Sequence, residues 1–371
     1  MTPTRPWPAM AAIAVVVCAA LAGCTGAPPG PTPTVPPIST APAPGPSAAG
    51  VVTTVATDLV SPWSLVPLPD GGALVSQRDD GAIVEIGADG VTRRVGTVPG
   101  VVPGGEAGLN GIALWHGDGG TWLYAYHAAS DDNRVVRMPL LGAPGTYRLG
   151  AAETVLRGIR KAQFHNGGRL AFGPDGMLYV TTGDAGDPAD AQDRHSLNGK
   201  ILRLTPEGDP APGNPFGTAV YSYGHRNVQG IAWTPDGTMW ASEFGQNTWD
   251  ELNVIVPGGD YGWPVVEGIA HDSRFRDPVL QWPTDQASPS GLAARGNDLY
   301  LACLRGERLW QVTTDGDRVV GGPVSLLADN GRLRDVAVAN DWSLWVLTDN
   351  TDGRGSPRPG DDRVLRVAAP G

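Results

Sequence analysis

Cysteine is scarce: three in 371 residues, at positions 18, 24 and 303. Two of them fall in the first 24 positions, so one thiol is left for the body of the chain and no internal disulfide can brace it. Cys303, in Leu301-Ala302-Cys303-Leu304, reads as a small buried apolar residue and not as a reactive thiol. No Cys-x-x-Cys-His occurs, which excludes a c-type haem attachment. Positive charge is also short, with 27 Lys and Arg against 38 Asp and Glu and a formal net charge of -11. A surface of that sign repels nucleic acid and anionic lipid headgroups, and an anionic ligand would need a local concentration of basic residues. Nothing in the sequence has the periodicity of a long amphipathic helix.

What is abundant is turn chemistry, with Gly 52 and Pro 35. The first 23 residues read as a leader: Arg5 is a thin positive region, and the apolar stretch from Ala9 to Ala22 is too short to span a bilayer. It ends in Leu21-Ala22-Gly23-Cys24, which resembles the lipobox of bacterial lipoproteins and makes Cys24 the expected site of lipidation. An ordinary secretory leader with a chance cysteine would give a soluble secreted protein instead, and both readings imply export. Apart from Cys24, Val35 and Ile38, residues 24–50 are Pro, Ala, Gly, Ser and Thr, without a charged side chain and with too little apolar surface to offset the entropy of ordering, so a tether is expected. The protein is thus expected on the outer side of a membrane, held only by its lipid.

From residue 51 to 371 one unit recurs: an Asp-containing turn, then a short alternating strand. The turns centre on Asp70, Asp118, Asp175, Asp236, Asp298 and Asp341, spaced 43 to 62 residues apart. One four-stranded propeller blade takes roughly 40 to 50 residues. Asp-Gly and Asn-Asp supply the positive backbone torsions of hairpin turns, and Met177-Leu178-Tyr179-Val180 and Leu344-Trp345-Val346-Leu347 are strand-like. The expectation is an all-β, six-bladed β-propeller, each blade burying against its neighbours the apolar face it would expose alone. Such a fold names no function, so the site must decide.

Two stretches carry the chemistry. Gln163-Phe164-His165-Asn166-Gly167-Gly168-Arg169-Leu170 sets a histidine before two glycines, which allow the main chain close to a ligand or a neighbouring blade; Thr182-Gly183-Asp184-Ala185-Gly186 follows. A lone histidine is more often structural, and Asp184 could be a turn cap. The second stretch, Tyr223-Gly224-His225-Arg226-Asn227-Val228-Gln229-Gly230, leads into Ser242-Glu243-Phe244-Gly245-Gln246 and Gly259-Asp260-Tyr261-Gly262-Trp263-Pro264. Taken blandly, His225 and Arg226 are a hydrogen-bonded loop pair and Trp263 is a core aromatic.

Together with Ser288-Pro289-Ser290-Gly291-Leu292 and Gly331-Arg332-Leu333-Arg334-Asp335-Val336, these stretches resemble the soluble glucose and aldose sugar dehydrogenases that use pyrroloquinoline quinone. The resemblance covers nearly all of the chain after about Val51. It implies that an aldose is oxidised at its anomeric C1 hydroxyl to a lactone, with hydride passing to the quinone. His165 takes the place of the base that removes the hydroxyl proton, a task suited to imidazole, and Asp184 that of the group orienting it. The quinone's three carboxylates imply a cationic cradle at Arg226, Asn227, Arg305, Arg332 and Arg334. A Ca2+ ion would be held by main-chain carbonyls at Gly245 and Gln246, and a second, found in some relatives, by Glu251 and Tyr261.

Three departures from the family pattern stand out. Glu106, in Gly105-Glu106-Ala107-Gly108-Leu109, occupies a cofactor-side position where relatives carry Gln, and a carboxylate there opposes an anionic quinone unless an arginine or a proton compensates it. Gln246 replaces a proline and loses its fixed torsion. Arg305 replaces a lysine, keeping charge but not shape. A binding or scaffold propeller without redox function, and a Ca2+-dependent lactonase, remain as alternatives. With no haem of its own, a dehydrogenase of this kind would pass electrons to a separate acceptor.

Overall fold

The computed structural model describes residues 50–117 and 119–369. The leader, Cys24, most of the tether and the Asp118 turn lie outside the described residues. Among the described residues the chain is β-structure with one short helix, Ala189–Gln192, and no helix is long and apolar enough to cross a membrane.

Six antiparallel sheets follow one another as blades. Blade 1 is Pro62–Pro67, Ala73–Gln77, Ala82–Ile86 and Thr92–Thr97. Blade 2 begins at Leu109–Gly117, blade 3 at Leu170–Phe172, blade 4 at Val228–Trp233, blade 5 at Pro289–Arg295 and blade 6 at Leu333–Val338. Blade 6 is completed by the first strand of the chain, Val52–Ala56, on Val364–Val367, with Val52 opposite Val367. The ring is therefore closed by pairing the two ends of the propeller, and no blade is left with an open flank.

The expected turns join the first and second strands of their blades. Asp175, Asp236 and Asp341 accept from the main-chain N–H two residues on, at 3.0 to 3.1 Å, which is what Asp contributes to such a turn. Asp298 departs slightly, opening a strand after a turn at Gly296. Among the described residues each blade-to-blade interface has its own apolar cluster, six in all, each drawing on two neighbouring blades. Leu74 and Ile83 of blade 1, for example, pack with Leu109 and Leu123 of blade 2. Cys303 is fully buried in the cluster between blades 4 and 5, as its sequence context suggests.

The innermost strands approach the axis so closely that side chains there are restricted. A Cβ on Gly111 would lie 2.1 Å from the Gly168 carbonyl oxygen. The space left at the centre is filled by Arg169 of blade 3, whose Nη1 donates to Asp335 Oδ2 of blade 6 at 2.7 Å and to Ser64 Oγ of blade 1 at 3.0 Å, while its Nε donates to the Gln229 carbonyl of blade 4 at 2.8 Å. Gln229 and Trp63, which Arg169 touches, line a cavity at the end of the axis where the first strands begin.

Candidate functional site

The cavity measures about 440 Å3, within the range of small-molecule sites. His165 reaches it from the loop before blade 3, with its backbone in the left-handed region at φ 55. Gly167 makes that loop possible, since a Cβ there would lie 2.6 Å from the Thr182 Cα. Asp184 stands behind the imidazole, fully buried, and accepts from His165 Nδ1 at 2.8 Å. The same carboxylate accepts from Gly186 N at 2.8 Å and from the Trp263 indole at 2.9 Å. Burial works to raise its pKa, but hydrogen bonds from His165, Gly186 and Trp263 overcome this and hold the carboxyl below its ordinary value. An ionised Asp184 can only accept, so in the neutral ring Nδ1 carries the hydrogen and Nε2 the lone pair. Trp263 is buried, as expected, but its N–H is also part of the support beneath the histidine.

Every residue assigned to the cationic cradle lines this cavity: Arg226, Asn227, Arg305, Arg332 and Arg334, with Glu106 beside them. Arg226 donates to the Phe244 and Gly245 carbonyls, and its Nε is buried without a partner. Arg332 donates to Asp352 at 2.9 Å and likewise has an orphaned Nε. Arg334 donates to Asp349 at 2.7 Å and to Gln229 at 3.1 Å. Asn227 ties the two motif loops together by accepting from Gly167 N at 3.0 Å. His225 does not pair with Arg226; it bonds Ser222 and Glu243 and stacks on Tyr261.

Two further arginines, Arg78 and Arg354, line the cavity and raise the guanidinium count to six. Both escaped the sequence reading. Arg78 lies in the blade 1 turn that corresponds to the Asp184 turn of blade 3, a positional signal that could have found it. Arg354 lies in a Gly-rich loop with nothing local to mark it. Such a concentration in a chain of net charge -11 suits a polycarboxylate ligand, and the orphaned nitrogens of Arg226 and Arg332 are donors that such a ligand would satisfy.

Gly245 and Gln246 also line the cavity. Their main-chain carbonyls are the kind of oxygen calcium prefers, but the Gly245 carbonyl accepts from Arg226 Nη1, so a cation there would displace that guanidinium and take the rest of its shell from the ligand's own oxygens. The stiffness that proline would give is replaced by Glu267, whose Oε1 gathers the N–H groups of Gln246, Asn247, Thr248 and Trp249 at 2.7 to 3.1 Å. Glu251 and Tyr261 are not part of the main cavity. They border a small void beneath the Gly245 loop together with Glu243 and Glu267. The Tyr261 hydroxyl is committed to Val254 O and Val256 N, at 2.6 and 3.0 Å, which leaves its main-chain carbonyl for any metal. Burial, with Glu243 nearby, pushes the Glu251 carboxyl far above its ordinary value, so a cation there would have to displace a proton.

Comparison with known proteins points the same way as the geometry. The sequence model described as Glucose / Sorbosone dehydrogenase matches residues 59–357. An aldose sugar dehydrogenase of Escherichia coli is 30% identical over 329 residues, 79% of this chain and 88% of that protein. Quinoprotein glucose dehydrogenase B of Acinetobacter calcoaceticus is 33% identical over 257 residues, 60% of this chain and 54% of that protein. Among solved structures, the PQQ-bound form of aldose sugar dehydrogenase from Streptomyces coelicolor is 53% identical with a TM-score of 0.82, covering 87% of this chain and 99% of that one.

Proposed function

The chain belongs to the Glucose / Sorbosone dehydrogenase family, and we propose that it oxidises the anomeric C1 hydroxyl of aldoses to lactones as a pyrroloquinoline quinone and Ca2+ enzyme. When bound, the quinone would supply a carbonyl able to accept hydride, with Ca2+ polarising it. Arg226, Asn227, Arg305, Arg332 and Arg334 would hold its carboxylates, and the Gly245 and Gln246 carbonyls the ion. Because Arg226 donates to the Gly245 carbonyl, binding of a cation at that oxygen would free its guanidinium for a carboxylate.

His165 Nε2 would accept the proton of the C1 hydroxyl as C1 gives up its hydrogen as hydride to the bound acceptor, so the ring-closed sugar loses two electrons and two hydrogens and its C1 becomes the lactone carbonyl. Asp184 keeps the imidazole in the accepting tautomer and stabilises the imidazolium that forms. Trp263 and Gly186 hold the carboxylate in place for both tasks. The observation that carries this reading is His165, with its Nδ1 fixed by Asp184, in a cavity lined by six guanidinium groups.

The test is reconstitution with quinone and Ca2+, followed by reduction of a dye in the presence of aldoses. Activity that disappears in His165→Ala supports the proposal; no dye reduction by intact protein across a broad sugar panel overturns it. Lactone hydrolysis without added quinone would favour the lactonase instead. The lipobox-like Cys24 supports an exported lipoprotein that passes electrons to a separate acceptor, and labelling with a radioactive fatty acid that fails in Cys24→Ser would establish the anchor.

A further inference from the structure

Two acids line the cavity. Asp250 is buried, and its oxygens accept from the main-chain N–H groups of Gly245 and Ser288. Burial pushes its carboxyl up to about 6. Glu106 differs, because its side chain is 22% exposed at the mouth, where its charge faces any anion that enters. It has a positive reason to be there: Oε2 accepts from His165 N at 2.9 Å and so holds the main chain of the left-handed histidine. Its other oxygen, Oε1, accepts from Arg354 Nη1 at 2.8 Å.

Arg354 comes from the blade 6 loop and Glu106 from the loop leading into blade 2, so the pair bridges the mouth over blade 1. The Arg354 end is fixed from below. Its N–H donates to Asp352 Oδ1 at 2.8 Å, and Asp352 Oδ2 accepts from Arg332 at 2.9 Å. Burial works to raise the Asp352 pKa, yet Arg332 and Arg334 hold it low, so this support stays ionised.

We propose that Arg354 is the charge partner of Glu106, and that its role is to let the cavity take a polycarboxylate ligand although a carboxylate is retained beside His165 to fix its main chain. The proposal rests on the cofactor reading above for the identity of that ligand. A half-exposed ion pair adds little to folding stability, so its effect belongs in ligand affinity. At the solvent-exposed mouth, where the effective dielectric approaches that of water, an uncompensated unit charge a few ångströms from a ligand carboxylate is worth up to about tenfold in affinity.

The experiment compares wild type, Glu106→Gln, Arg354→Gln, the double variant and Arg354→Lys. Gln at 106 keeps an oxygen for His165 N while removing the charge. Quinone is titrated in Ca2+ at low salt and followed by quenching of tryptophan fluorescence, Trp63 being in the cavity wall. Citrate, a tricarboxylate without quinone chemistry, is titrated in parallel by thermal shift. Arg354→Gln should weaken both ligands about tenfold, Glu106→Gln should bind at least as tightly as wild type, and the double variant and Arg354→Lys should return to within about threefold of it. The span should shrink in high salt.

Wild-type affinity in Arg354→Gln overturns the proposal. So does a double variant as weak as Arg354→Gln, which would mean that Arg354 acts on the ligand itself. If citrate follows the predicted order while quinone does not bind, the cofactor reading falls and the charge partnership stands. If quinone binds and neither ligand follows the order, the partnership falls alone; if neither polyanion binds wild type, both fall.

Discussion

Arg169 Nη1 and Asp335 Oδ2 lie 2.7 Å apart, an ion pair that joins blade 3 to blade 6 across the propeller axis. Both side chains are buried. Burial lowers the Arg169 pKa and raises that of Asp335, each opposed by the other's charge. The Arg169 guanidinium also lies over the Trp63 ring, 4.4 Å from its centroid. Removing one partner leaves an uncompensated charge at the axis, so Arg169→Met should lower unfolding free energy by about 3–5 kcal/mol, whereas Arg169→Met with Asp335→Leu should recover most of it. Urea denaturation of the three proteins measures this, and a single variant as stable as wild type would contradict it.

His165→Asn tests catalysis with less disturbance of the fold, because asparagine tolerates the left-handed backbone. Dye reduction should fall by about 10²- to 10⁴-fold, the ordinary contribution of a general base. Quinone affinity should stay within about threefold if, as proposed, the arginines hold the ligand's charge.

Asp184→Asn removes the counter-charge of the imidazolium, so kcat should fall by about 10²- to 10⁴-fold and the acid limb of the residual activity should move to lower pH. Trp263→Phe removes one of three hydrogen bonds to the carboxylate and should cost about tenfold. Stability follows the same group. With its folded pKa below the ordinary 3.8, Asp184 contributes stability above that pH, and the contribution is lost as pH falls through the folded value. The gap in melting temperature between wild type and Asp184→Asn should therefore be widest near neutrality and narrow below about pH 4.

Glu267→Ala should loosen the Gly245 loop by releasing four main-chain N–H groups. Half-saturation for Ca2+ in quinone reconstitution should rise about tenfold, while saturating Ca2+ restores dye reduction. An unchanged Ca2+ requirement would show that the loop is held by other contacts.

The blades were readable because each needs the same turn, and a turn is a local problem solved by local residues such as Asp236-Gly237. His165 and Asp184 were readable for a related reason: they belong to adjoining loops of one blade, 19 residues apart. Arg78 and Arg354 were not, because only ring closure sets the loops of blades 1 and 6 beside His165, and nothing near them in sequence separates a cavity arginine from a solvated one. Glu251 and Tyr261 follow the motif order, yet lie beneath the Gly245 loop, a separation that spacing does not reveal. The indole of Trp263 meets Asp184 from 79 residues away, so its packing was foreseeable and its hydrogen bond was not.

The closing strand pair fixes the rim from which the two ends of the propeller emerge. Val364–Val367 follows the loop that carries Arg354 at the mouth and runs away from it, and Val52–Ala56 lies antiparallel beside it, Val52 against Val367. The chain thus enters and leaves the propeller at the rim opposite the opening. A surface coupled through either end of the propeller would present the mouth outward with free substrate access. A redox protein fused at that rim, by contrast, would begin a strand's length, about 15 Å, from the cavity, so wiring the protein to an electrode calls for attachment at the loops around the mouth.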